Sequence, residues 1–183
     1  MIGSMDQREL LAQQATLLGQ ALLVADPRRL APPEDPGDPE SPYAALCDEI
    51  LLAQGAPEAA EIEYTRLFLS PDGAPCSPWQ STYDPEPRLM GPAHHAALDW
   101  YRRYGAEPAV SNEPADHLGL LLLFFAQLLA NEEDTETLKQ FRAQHLDWSV
   151  TLLEKMKTEA RHPLYLALAR ATLHLLTALA RES

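Results

Sequence analysis

Three short constellations in this chain bring together side chains capable of chemistry. Glu113-Pro114-Ala115-Asp116-His117 sets a carboxylate and an imidazole directly ahead of Leu118 to Phe125, a run that is apolar except for Gly119. The spacing predicts a helix from Pro114 to Ala130, with Pro114 at its first position. Asp116 then falls at the third, where a carboxylate accepts otherwise unpaired amide N–H groups and complements the positive helix end. Capping alone explains Asp116. His117 is less easily explained, because an imidazolium is disfavoured at a helix start and the residues that follow are apolar. Two readings stay open for a neutral His117: a structural bond to Asp116 or to a loop carbonyl, or one directional contact to a peptide lying in an apolar groove.

Glu159-Ala160-Arg161-His162 has the Glu-x-x-His spacing of carboxylate-bridged di-metal bundles, which need a second copy and two further glutamates on facing helices; the chain has no second copy. His94 and His95 are adjacent, so a helix points them about 100° apart and a shared metal does not follow. No metal site is expected and no cofactor is assigned. The chain has no G-x-S-x-G, no phosphate-binding glycine loop, no G-x-G-x-x-G and no Cys/His ligand framework, so no nucleophile, base and orienting partner can be nominated. The expectation is a binding protein without catalytic residues. An alternative keeps Glu159 and His162 as the centre of a metal-binding or catalytic helical protein, and a second alternative is a generic helical adaptor.

Large aromatic residues form the third group. Tyr64-Thr65-Arg66-Leu67-Phe68 has the pattern of a core stripe with Arg66 turned to solvent. Trp79 and Tyr83 stand in a proline-rich stretch, where a large aromatic either pins the loop to the core or presents a binding hot spot.

The elements that must position these residues are helical. Leu11, Ala15, Leu18, Leu22 and Ala25 share one stripe, with Asp6 and Glu9 as a capping box, and Asp26-Pro27 stops that helix. Six prolines crowd positions 26–42 together with Glu34, Asp35, Asp38 and Glu40, a composition that resists helix and strand alike. Ser41-Pro42 is a helix start, continued by Tyr43, Leu46, Ile50 and Ala53 to Gly55. Pro57 opens another helix, with Ala60, Tyr64, Leu67 and Phe68 inward, ending before Pro71. The prolines of 70–92 predict a long, ordered loop, since so long an irregular stretch needs packing of its own. A helix through Ala93, Ala97, Tyr101 and Tyr104 closes at Gly105. After the helix at 114–130 comes one long helix through Leu138, Phe141, His145, Trp148, Leu152 and Met156. His162-Pro163 separates it from a last helix carrying Leu164, Leu168, Ala171, Leu175 and Leu179. No segment alternates apolar and polar residues as a half-buried strand does. The expected fold class is all-α, a single-domain bundle of about seven helices over 1–183, with long proline-rich loops at 26–42 and 70–92.

Charge narrows the partners. The chain has 14 Lys and Arg against 27 Asp and Glu, a formal charge of −13, which repels nucleic acid and attracts a cationic peptide. Cys47 and Cys76 lack disulfide spacing and are expected as free thiols of a reducing compartment. Met1 to Arg8 lacks the pattern of a secretory signal, and Leu118 to Ala130 is shorter than the ~20 residues that cross a bilayer. A cytoplasmic protein without stable membrane insertion is expected, as monomer or homodimer.

Tyr64-x-x-Leu67-Phe68, then Pro75, Pro78-Trp79 and Ser81 within Ser70 to Tyr83, then Glu113-Pro114-x-Asp116-His117, occur in an order and spacing that resembles the TorD/DmsD family of redox-enzyme maturation chaperones. The likeness continues through Phe141, His145-Leu146 and Trp148, covering the chain from about Tyr64 onward. It implies an all-helical cytoplasmic protein that binds the apo form of a molybdenum-containing oxidoreductase through its twin-arginine signal or leader peptide. It also implies assistance with the client's folding, cofactor insertion and export. The residues expected to meet the client are Asp116, His117, Glu113, Pro114, Trp79, Tyr83, Tyr64 and Phe68, in a groove beside the Pro114 helix and the Trp79 loop. Two positions depart from the family pattern: Gln80 replaces a common glutamate, which removes one partner for arginine, and Ser70 replaces a common glycine.

Overall fold

The structure, a computed structural model, describes residues 3–131 and 133–181, with side chains from Gln7 onward. Among them are eight α-helices and no strand: α1 Gly3–Leu23, α2 Pro42–Gly55, α3 Pro57–Tyr64, α4 Pro92–Arg103, α5 Leu118–Ala130, α6 Thr135–His145, α7 Ser149–Glu159 and α8 Pro163–Arg181. The start signals act locally as expected. Ser41 Oγ accepts the Ala44 N–H at 3.1 Å ahead of α2, and Asp134 Oδ1 accepts that of Thr137 at 2.7 Å ahead of α6, each satisfying an amide that helix geometry leaves unpaired. α1 already runs at Gly3, so Asp6 and Glu9 lie within it rather than at its start; the Asp6 side chain lies outside the described residues.

α1 and α5 pack against each other along their lengths, and their closest approach is set by two glycines. A Cβ on Gly119 would lie 2.7 Å from the Gly19 carbonyl oxygen and 2.6 Å from Leu23 Cγ, so only hydrogen fits on either helix there. α8 packs on α2, α7 and α1, which accounts for its apolar length as that of a core helix. Every helix contributes to one core cluster, from Leu18 and Leu46 through Ala60, Ala97 and Leu121 to Phe141, Leu152 and Leu168. Each buried leucine or phenylalanine side chain adds about 1.5–3 kcal/mol, and the expected stripes of α2 and α8 are all inside.

Three expectations about elements need correction. α5 begins at Leu118 rather than Pro114, because Pro114–His117 forms a turn that closes with the His117 N–H on the Pro114 carbonyl. The single helix expected from Leu138 to Met156 is two helices. Its chain turns at Leu146–Trp148, where Asp147 Oδ1 accepts from Arg142 Nε at 3.0 Å, Trp148 Nε1 donates to the His145 carbonyl at 2.8 Å, and Ser149 Oγ donates to the Leu146 carbonyl at 2.6 Å. On α4 the inward stripe passes through His94 and Trp100 as well as Ala97 and Tyr101, while Ala93 is only half-buried. The 26–42 and 70–92 stretches are loops, with 3-10 turns at Pro27–Arg29 and Gln80–Tyr83. After α3 the chain continues through a π-helical turn, Thr65–Leu69.

Candidate functional site: the junction of the proline-rich loop with α5

Residues 78–81 of the proline-rich loop lie antiparallel to the turn that enters α5. Trp79 and His117 form an isolated bridge: the Gln80 N–H donates to the Asp116 carbonyl at 3.1 Å and the Leu118 N–H to the Pro78 carbonyl at 2.9 Å. Two side chains reinforce this pairing. Asp116 Oδ2 accepts the Ser81 N–H at 2.7 Å, and His117 Nδ1 accepts the Gly119 N–H at 3.0 Å, capping α5. A nitrogen that accepts carries no proton, so the His117 ring is neutral with its hydrogen on Nε2. Burial enforces the same state by pushing the His117 pKa down to about 3.

This geometry corrects the roles expected for Asp116 and His117. Their side chains are closed from solvent at 0 % and 2 % exposure, and both accept backbone N–H groups, so in this conformation neither offers a direct contact to a visiting peptide. Asp116 does not cap α5 as its position implied; it reaches across to the loop. Of its two oxygens, Oδ1 is buried without a hydrogen-bond partner.

Tyr64 and Phe68 are also inside. Tyr64 donates its hydroxyl to the Leu22 carbonyl at 2.8 Å, and its ring meets Phe68 edge-on at 5.1 Å; both belong to the core and reach no groove. Arg66 is half-buried rather than fully turned to solvent. It pairs with Glu63 through Nε and Nη2 at 2.8 and 2.9 Å and donates to the Glu159 carbonyl at 2.6 Å. Glu63 also accepts the Arg161 N–H at 2.6 Å. Burial pushes the Glu63 pKa up, but these bonds outweigh it and hold the carboxyl below its usual range. The Glu-x-x-His motif is engaged by the same joint: the Glu159 carbonyl receives Arg66, and His162 Nδ1 accepts the Leu164 N–H at 3.2 Å at the entrance of α8.

The half-buried members of the expected set are Trp79, Tyr83, Glu113 and Pro114. Trp79 Nε1 donates to Glu113 Oε1 at 2.5 Å, and its ring meets that of His117 edge-on at 5.8 Å. Trp79 is thus pinned to Glu113 and His117 while remaining half-buried. Burial and the neighbouring Asp116 charge raise the Glu113 pKa against the lowering effect of the Trp79 bond. Tyr83 donates to the Ser77 carbonyl at 2.8 Å and packs on Trp148 at 5.0 Å.

Four residues that the sequence names in other contexts, His94, Tyr101, Gln80 and His145, were not expected at this junction. His94 Nδ1 accepts the Ala115 N–H at 2.9 Å and Tyr101 donates to the Ala115 carbonyl at 2.7 Å, so α4 holds both backbone polar groups of one residue. Gln80 Oε1 meets His145 Nδ1 at 2.9 Å, while its amide donates to the Gln144 carbonyl at 2.8 Å. A glutamate could not make that donation, so the substitution at position 80 ties the loop to α6. Only His94 had a local hint, as an imidazole on an otherwise apolar helix face.

Among the described residues no group of three or more His, Cys, Asp and Glu side chains converges as a metal site. Cys47 and Cys76 are buried free thiols. A cavity of about 1320 Å³ lies along α1 and α5, and none of the eight residues expected to meet a client lines it.

Residues 33–157 match the family described as nitrate reductase delta subunit. The match begins in the loop before α2 and ends within α7, so it reaches further upstream than the motifs from Tyr64 onward implied. The chain is 40 % identical over 116 residues to the Tat proofreading chaperone DmsD of Salmonella typhimurium, covering 60 % of this chain and 56 % of that protein. It is 30 % identical over 112 residues to the chaperone protein TorD of Shewanella loihica, covering 60 % and 48 %. The chain therefore spans about half the length of these relatives. The solved structure of a redox enzyme maturation protein from Archaeoglobus fulgidus aligns with a TM-score of 0.59 at 26 % identity, over 94 % of this chain and 93 % of that one.

Proposed function

The chain belongs to the nitrate reductase delta subunit family, and from that premise we propose that it is a cytoplasmic chaperone for a molybdenum-containing oxidoreductase. It binds the twin-arginine signal or leader peptide of the apo client ahead of folding, cofactor insertion and export, and it works as one domain, monomeric or homodimeric. The observation that carries the reading is the Trp79–Glu113 pair: a half-buried indole bonded to a carboxylate at 2.5 Å on a rigidly knit loop. A leader arginine brings a planar cation. Its guanidinium can lie over the indole face and share the carboxylate, and both interactions favour arginine over lysine.

Asp116 and His117 serve this site as positioning residues. They fix the backbone of Gln80, Ser81 and Gly119, so Trp79 and Glu113 meet a ligand already in place and the ordering cost falls on the peptide alone. The net charge of −13 adds attraction at longer range for a basic segment. The reading is of a binding protein and not an enzyme, because the groups that would do acid–base work, His94, Asp116 and His117, accept backbone N–H groups instead. Affinity purification of the chain from a host that makes molybdoenzymes tests the assignment. Recovery of an apo oxidoreductase supports it; recovery of none favours the generic adaptor.

A further inference from the structure

α1 and α5 line an open trough of about 1320 Å³ together with Ala31 and Pro33 of the 26–42 loop and Glu107, Pro108 and Ala109 of the segment after α4. Pockets for small ligands usually enclose about 300–1,000 Å³, so this space suits a length of polypeptide better. Its floor is apolar, with Leu17, Leu120, Leu123 and Phe124, and its rim carries the amides of Gln13, Gln20 and Gln127. Those three side chains are exposed, and none makes a hydrogen bond to another described residue. Free amides above an apolar floor match the needs of an extended peptide, whose main-chain N–H and C=O groups lack the internal partners that a helix supplies.

Charge sets the chemistry of the occupant. Directly beyond Pro33 the 26–42 loop carries Glu34, Asp35, Asp38 and Glu40, all exposed. None of the four forms an ion pair among the described residues; the side chains of Asp35 and Asp38 accept the backbone N–H groups of Gly37 and Glu40. Glu9 and Glu107 add to the lining, while Arg8, its one cationic residue, donates to the Glu133 carbonyl at 2.9 Å.

We propose that this trough holds the apolar stretch of the client leader in extended form, with adjacent basic residues facing the carboxylates of the 34–40 loop. The proposal rests on the leader-binding reading and gives it a second, apolar contact apart from Trp79. From Arg8 to Gln20 the floor is about 18 Å long, which matches about five or six extended residues.

Both native cysteines are buried, so one surface cysteine can be labelled selectively in the full chain. Gln127→Cys and, as control, Lys155→Cys are labelled with an environment-sensitive fluorophore and titrated with a synthetic peptide of two arginines followed by ten leucine and alanine residues. A blue shift at position 127 and none at 155 is expected. Gln13→Trp and Gln127→Trp, which fill the trough from exposed positions, should weaken binding tenfold or more with an unchanged circular dichroism spectrum. Unchanged affinity in both filled variants overturns the trough as the seat and leaves leader binding standing. No binding to the unaltered chain overturns both. A shift at 127 that grows with protein concentration without peptide assigns the trough to a second copy and also overturns the proposal.

Discussion

Trp79 and His117 face each other across an isolated antiparallel bridge, their ring centroids 5.8 Å apart and their planes at 84°. One ring is half-buried and the other closed from solvent at 2 % exposure. The pair divides the work of the junction, with His117 holding the start of α5 and Trp79 supplying surface. Substitutions on the two sides should therefore separate stability from binding.

His117 and His145 are held neutral by burial, with pKa values of about 3 and about 4. An unfolded chain protonates both near pH 6.5, so below that pH it binds protons that the folded chain refuses. Stability is thus complete above about pH 6.5 and falls as the pH drops toward 4, by on the order of 1 kcal/mol per pH unit for each ring. Urea unfolding between pH 4.5 and 7.5 should show this slope. His117→Asn, whose side-chain oxygen can still cap the Gly119 N–H, is expected to reduce it.

Asp116→Ala leaves the buried Ser81 N–H without its acceptor at 2.7 Å. A loss of about 1.5–3 kcal/mol is expected for a hydrogen bond to a charged group. Asp116→Asn, which keeps an acceptor, should lose less. Limited proteolysis should cut the alanine variant first within 70–92, the loop that this bond anchors.

Glu63 joins Arg66 on one side and the Arg161 N–H on the other, linking α3 to the α7–α8 connection. Glu63→Ala removes both and leaves the half-buried guanidinium only its bond to the Glu159 carbonyl, so about 1.5–3 kcal/mol is expected from denaturant titration. Glu63→Gln should recover part of it, since an amide oxygen can still accept from Arg161.

Gly119→Ala places a methyl group 2.7 Å from the Gly19 carbonyl oxygen. Backbone cannot yield as a side-chain tip does, so α1 and α5 must separate, at about 1–3 kcal/mol. Gly55→Ala, with nothing within 4 Å of the added carbon, is the control and should change thermal stability little.

Much of the fold was legible because its signals are local. Ser41-Pro42, Pro57 and His162-Pro163 mark helix boundaries through backbone chemistry that acts within a few residues, and the stripe of Leu164 to Leu179 follows from helix periodicity alone. The break at Leu146–Trp148 was not legible, since it contains neither proline nor glycine and depends on side chains that reconnect the opened carbonyls. The start of α5 was misplaced for a related reason. Pro114 is locally a good first residue, but a loop 35 positions upstream captures Asp116. For the site, motif order singled out the Trp79 and Asp116 segments, which the fold brings together, while Asp116, His117, Tyr64 and Phe68, expected at contact, are buried. Which side of a motif faces water is decided by partners such as His94, Tyr101 and Gln80, and these are brought close only by folding.

Calorimetry tests leader binding at the Trp79–Glu113 pair most directly. A synthetic peptide of two arginines followed by an apolar run is titrated into the full chain, its Trp79→Ala and Glu113→Gln variants, and Asp116→Asn, at low and at 0.1 M salt, where exposed charges are screened beyond about 10 Å. Tenfold or greater weakening is expected for Trp79→Ala and Glu113→Gln, with little change for Asp116→Asn and weaker binding at the higher salt. Equal affinity of all four proteins for that peptide, independent of salt, would contradict leader binding at this pair.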